Sequence, residues 1–132
     1  EERSNATVIK TIYDPCPAGS HMPASLAFTG FTVSGSAGNL YYGQINNVGA
    51  WNEGWNFKTG IGNSTVFFPA VGLRNYEDGT LFRLGEHGFY WTAFPASSAI
   101  QAFGMTMHEW EVSPIGYAGR VNGGSVRPVA DN

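Results

Sequence analysis

Glu109 and Glu111 are two residues apart, so on a strand their side chains share one side. A retaining glycosidase sets its two carboxyls roughly 5–5.5 Å apart and raises the pKa of one by burial. This pair falls in a predicted turn, where water keeps both groups ionised, and the plainer reading is a solvated tip. Cys16 is the only cysteine, and it lies between Pro15 and Pro17. His21, His87 and His108 could activate it only if the fold carried one of them there. A buried, inert thiol is the simpler expectation. One thiol supports neither an intrachain disulfide nor a cysteine-based metal site. The chain has no His-Glu-X-X-His, Gly-X-Ser-X-Gly or phosphate loop, and the glycine-rich residues 116–124 lack a Walker lysine and a following helix. Aromatic recognition needs less machinery. A sugar stacks its C–H face on an exposed Trp or Tyr ring while its hydroxyls bond polar neighbours. Candidates are Trp51, Trp55, Tyr76, Trp110 and Tyr117. Trp55 and Trp91 are expected in the core, Trp51 stands among polar residues, and Trp110 has little to pack on within its own domain. The competing reading of Trp110 is packing against another loop or a neighbouring domain.

The elements that must position these groups follow from composition and pattern. The chain has 132 residues, one domain's worth, with 13% charged residues, 14% aromatics and 18 glycines. Few charges with many aromatics and glycines favour short strands and tight turns. A net charge of −3 with seven Lys and Arg argues against a nucleic-acid partner. No apolar run approaches the roughly 20 residues of a membrane helix, so membrane insertion of this domain is not expected.

Residues 7–13 are β-branched and aromatic and read as a strand. The rigid turn Asp14-Pro15-Cys16-Pro17-Ala18-Gly19 follows. Residues 24–28 suit a short helix or helical turn, and residues 39–42 a strand. Residues 54–58 and 65–68 form two strands around the turn Gly60-Ile61-Gly62-Asn63, and Glu77-Asp78-Gly79 marks a second hairpin-like turn. Residues 88–93 form an aromatic strand. Phe103, Met105 and Met107 alternate with Gly104, Thr106 and His108, which puts the first three on a core face. The phase breaks after His108 and Trp110 and Val112 become the apolar positions, so a hairpin turns at residues 108–111. Residues 125–129 read as a last strand, edge or irregular at Pro128.

Several segments resemble one family in order. Thr11-Ile12-Tyr13-Asp14-Pro15-Cys16-Pro17-Ala18-Gly19 is similar to an N-terminal signature ending in "YDPCPAG", and Met22-Pro23 follows it. Phe67-Phe68-Pro69-Ala70, with Gly72 and Arg74, resembles "FFPASGYR". Gly88-Phe89-Tyr90-Trp91-Thr92-Ala93 resembles a "GYYWS" strand. Arg120, Asn122, Gly123 and Ser125-Val126-Arg127-Pro128-Val129 resemble a closing "R-x-N-G-x-SVR" segment. On these segments the chain resembles the Fibrobacter succinogenes major paralogous family, found mostly in surface and secreted proteins of Bacteroidetes-type bacteria. The resemblance implies an α+β, strand-rich, C-type lectin-like domain with irregular loops and one or two short helices, spanning residues 1–132 as one unit of a longer surface protein. It also implies an extracellular or outer-surface location. Many members carry a second cysteine where Pro128 stands here, and small polar residues where Trp110 stands.

The implied fold raises calcium-dependent sugar binding, which needs six to eight oxygen ligands. The chain lacks Glu-Pro-Asn and Gln-Pro-Asp, and Trp51-Asn52-Glu53 is only a faint echo of a Trp-Asn-Asp strand. No metal or cofactor is expected. Arg120 and Arg127 are expected to tie loops together, with Asp14 or Asp78 among their partners. The expected function is a non-catalytic surface recognition or adhesion module that binds glycan or a surface protein through exposed aromatic loops, without calcium. The expected contact residues are His108, Glu109, Trp110 and Tyr117, with Trp51 and Asn52 as a second cluster. The alternative is a structural domain of a pilus-like or multidomain assembly that contacts only neighbouring domains. A hydrolytic enzyme stands third.

Overall fold

The computed structural model describes residues 8–34, 40–41, 44–95, 100–119 and 121–131. Among these residues ten strands run in chain order: β1 Ser20–His21, β2 Leu40–Tyr41, β3 Gly54–Lys58, β4 Thr65–Pro69, β5 Leu73–Arg74, β6 Leu81–Phe82, β7 His87–Pro95, β8 Gln101–His108, β9 Glu111–Gly119 and β10 Val129–Ala130. One four-stranded antiparallel sheet has the order β2-β9-β8-β7. Three two-stranded pairs, β3-β4, β5-β6 and β1-β10, surround it.

This corrects the α+β expectation. The structure is nearly all strand (44%) with essentially no helix (3%), in small sheets, so the fold is not the mixed α+β one that the resemblance implied, although it is strand-rich. The reason is legible after Pro23. The chain there makes only i→i+3 backbone bonds, from Ala27 to Ala24, Thr29 to Leu26 and Phe31 to Phe28, and ends in a single 3₁₀ turn, Thr29–Phe31. Gly30 and the β-branched and aromatic residues beside it give an α-helix little reason to propagate.

The hairpins behave as patterned. Lys58 pairs with Thr65 across the Gly60–Gly62 turn, where both glycines have positive φ, 80° and 55°. The β5-β6 hairpin turns at Gly79. Phe103, Met105 and Met107 are all buried. The β8-β9 hairpin closes where His108 pairs with Glu111, leaving Glu109 and Trp110 as its two-residue tip.

Two strand expectations fail. Residues 8–13 form coil and turn, and Ile9, Ile12 and Tyr13 are exposed. Lys10 bends this segment inward by donating from Nζ to the carbonyls of Cys16, Pro17 and Ser20 at 2.6, 3.0 and 2.6 Å. Residues 125–129 are not one strand. Ser125 makes a single parallel bridge to Tyr90, and only Val129–Ala130 pairs, with β1.

The core lies between the four-stranded sheet and the β3-β4 hairpin. Tyr90, Met105, Met107 and Val112 come from the sheet, and Trp55, Phe57 and Phe68 from the hairpin, with Phe28 and Ile45 closing the side. Aromatic rings order this cluster. Phe31 stacks on Phe57 at 4.0 Å, and Phe68 meets Tyr90 edge-on at 4.9 Å. Such pairs add roughly 0.5–1.5 kcal/mol each beyond burial. The Tyr90 hydroxyl donates to the Pro69 carbonyl, and burial pushes its pKa up to about 12.

Candidate functional site

The site begins with a core residue. Trp55 on β3 is 1% exposed, and its indole Nε1–H donates to the His108 carbonyl at 3.2 Å. That bond ties the end of β8, and so the hairpin tip, to the β3-β4 pair. Trp51, four residues upstream, packs edge-on against Trp55 with ring centres 5.4 Å apart. One buried tryptophan therefore sets the position of both Trp51 and the strand end that carries Trp110.

A third segment, Arg83 to His87, is pinned beside them through Ala70. The Ala70 amide donates to the Glu53 carbonyl at 2.8 Å, and its carbonyl accepts from the Gly85 amide at 2.8 Å. Gly85 has φ 80°, and a Cβ there would lie 3.0 Å from Glu53 Oε1, so this position needs glycine. Among the described residues Glu53 and Arg83 are the non-glycine residues with positive φ, at 51° and 58°. Left-handed backbone costs a side-chain-bearing residue roughly 1–2 kcal/mol, and here it falls on two residues of the loops that frame one cleft.

That cleft has a volume of about 280 Å³, and Trp51, Arg83, His87, His108, Glu109 and Trp110 are among its walls. A second hollow of about 330 Å³, bordered by Ala50, Trp51, Trp55, Glu109 and Trp110, shares three of these walls. Trp110 is 66% exposed. Its ring centre lies 6.1 Å from that of His108, and its backbone amide donates to His108 Nδ1 at 3.3 Å. His108 Nε2 then faces the Glu111 carboxylate at 3.9 Å. Across the β7-β8 ladder His108 pairs with His87, and the imidazole centres are 5.0 Å apart. His87 Nε2 accepts from Arg83 Nη1 at 3.2 Å. Burial lowers the His87 pKa most. Arg83 and His108 lower it further, and Glu86 opposes them. His87 is therefore a neutral acceptor at the floor of the cleft.

The two predicted clusters thus become one site, for His108, Glu109, Trp110 and Trp51 share the cleft. Asn52 is exposed beside it, with its amide bonded to the Gly54 carbonyl, and it is not among the lining residues. Tyr117 is not brought to the tip. Its backbone pairs with Phe103, roughly 20 Å along β9 from Glu111 at strand spacing, and its side chain lies outside the described residues. Arg83, Glu86 and His87 were missed in the sequence. Their signal was a charged turn running straight into the aromatic strand β7, whose first residue meets His108.

The remaining candidates fall elsewhere. Cys16 is buried, and burial followed by the Asp14 carboxylate pushes its thiol above the usual range. Arg127 donates to the Phe67 carbonyl at 3.1 Å and lies over the Phe68 ring, so neither Asp14 nor Asp78 is its partner. Asp14 instead accepts the Cys16 and Met22 amides beside Lys10, and Asp78 accepts from Thr80. Arg120 lies outside the described residues. Among the described residues no cluster of three His, Cys, Asp or Glu side chains could hold a metal ion. No helix of the described residues is long and apolar enough to cross a membrane. No family model matches the chain, and neither a curated protein nor a solved structure matches it.

Proposed function

We propose that this domain is a non-catalytic recognition module of a surface-exposed protein, and that it binds glycan, without calcium, in the cleft between Trp51 and Trp110. The observation that carries the reading is the placement of those two rings. Trp110 is two-thirds exposed on a tip held from below by a buried tryptophan, and Trp51 borders the same cleft. An apolar ring that size, rigidly presented to water beside polar groups, suits stacking against a sugar face. Glu109, Glu86 and the histidines supply acceptors and donors for hydroxyls. The surface location comes from the family resemblance.

The structural alternative draws on a different feature. Ile9, Ile12 and Tyr13 are 83%, 92% and 87% exposed, which suits a segment that packs on a neighbouring domain. Trp110→Ala separates the readings. The recognition reading expects loss of retention on a glycan array with a stability change under about 0.5 kcal/mol, as for other exposed positions. A large drop in melting temperature, or array binding equal to the unmodified protein, would reject a ligand role for Trp110.

A further inference from the structure

Arg83 differs from the other described arginines. Arg74 Nη1 is bonded to the Gly79 carbonyl at 3.0 Å, and Arg127 to Phe67 over an aromatic ring. Arg74 closes the turn of its own hairpin, and Arg127 ties the C-terminal segment to β4. Among the described residues the Arg83 guanidinium has a single partner, the neutral Nε2 of His87, which returns no charge. No carboxylate among the described residues lies within ion-pair distance of it. A guanidinium offers five N–H donors in a planar fork, so most of its hydrogen-bonding capacity is open to the cleft. The Arg83 backbone is held left-handed while doing so. Its carbonyl anchors the turn by accepting from the Glu86 and His87 amides at 3.1 and 3.0 Å.

We propose that the cleft takes an acidic glycan, one whose contacting sugar carries a carboxylate, and that Arg83 receives this carboxylate while Trp110 and Trp51 take the ring. The assignment rests on the glycan reading of the same cleft. A carboxylate matches the guanidinium fork in a bidentate pair, which a hydroxyl cannot do. The charges at hand favour it: Arg83 is a full cation on the cleft wall, with no carboxylate among the described residues within ion-pair distance. The other walls limit how much negative charge is welcome. Glu86 and Glu109 line the rim, and the chain as a whole carries −3. One carboxylate per contacted sugar fits this arrangement, and a densely sulfated chain does not.

The test uses methyl glycosides of glucuronic, galacturonic and N-acetylneuraminic acid, each beside its carboxyl-reduced counterpart. Binding is read from the indole N–H signals of Trp51 and Trp110 by NMR. The expected result is that at least one acid binds roughly tenfold or more tighter than its reduced form, the worth of one charge-assisted pair. Arg83→Gln should bring acid and reduced form to the same affinity, and Arg83→Lys should restore only part of the gap. An unchanged melting temperature for Arg83→Gln excludes misfolding as the cause. Equal binding of acids and reduced sugars by the unmodified protein overturns the acidic preference and leaves the glycan cleft standing. If no sugar of either kind moves the indole signals, both readings fall. If a tetraglutamate peptide moves them and no sugar does, the partner is an acidic protein segment and the proposal is wrong.

Discussion

The segment around Lys10 and the cleft around Arg83 use a cation in opposite ways. Lys10 gives its ammonium to three carbonyls and lies 3.8 Å from Asp14, whose two oxygens also accept the Cys16 and Met22 amides. Every charge there is absorbed by the chain itself, and the result is a knot that fixes the double-proline turn. Arg83 has one uncharged partner and sits on strained backbone beside an open hollow. A polar group satisfied within its own chain stabilises the fold. The exposed Arg83 guanidinium is not consumed by the fold, and its remaining N–H donors face water and the cleft, where a ligand can take them.

The largest difference between the regions should appear on deleting a charge from each. Asp14→Ala leaves two part-buried amides without acceptors and removes the carboxylate beside the Lys10 ammonium, which should cost about 2–3 kcal/mol. Urea titration reads this directly. Arg83→Gln should stay within about 0.5 kcal/mol by the same measurement. Similar losses at the two sites would erase the distinction.

A smaller effect, of opposite sign, tests whether Arg83 is held at a cost. Arg83→Gly relieves the left-handed φ of 58° but adds freedom to the unfolded chain. The net expectation is a gain of about 0.5–1 kcal/mol, accompanied by loss of the acidic-sugar preference. A protein that gains stability while losing binding marks a residue retained for its ligand. Loss of stability in Arg83→Gly would mean that the side chain supports the turn.

How much of this could be read in the sequence depended on the range of the interactions involved. The hairpin tip was legible because the apolar phase shifts between Met107 and Val112, a local pattern. The β3-β4 turn was legible because Gly60 and Gly62 permit positive φ. The α+β expectation came from the resemblance, and it failed at Gly30 and Phe31, where only a 3₁₀ turn forms. The strand expected over residues 7–13 failed because β-propensity in Ile9 and Ile12 was outweighed by the pull of Lys10 on three carbonyls beyond the turn. Trp110 and Trp51 were each found, but as separate guesses. Nothing local in the sequence says that Trp55 bonds to the His108 carbonyl or that Ala70 pins Glu53 and Gly85 together. Arg83 entered the site only through those long-range bonds.

The smallest expected effect is one of pH, and it separates the two regions by where each loses stability in acid. Asp14 is pulled in two directions: burial raises its pKa, but the Cys16 and Met22 amides, aided by Lys10, more than offset this and hold it below 3.8. The folded protein therefore resists protonation there more than the unfolded chain does. The stability Asp14 contributes is complete above 3.8 and is lost as the pH falls through its lower folded value. His87 works in a different window. Burial, then Arg83 and His108, lower its pKa from 6.5, against Glu86. Below 6.5 the unfolded chain takes up a proton that the folded protein refuses, so stability falls as the pH drops from 6.5 toward the folded value. Midpoints of urea unfolding measured from pH 8 to pH 3 should show two limbs. His87→Gln should flatten the upper one and leave the lower, while Asp14→Asn should do the reverse. If His87→Gln leaves the slope between pH 7 and pH 5 unchanged, His87 is not the neutral floor of the cleft, and the reason for placing an open cation above it weakens accordingly.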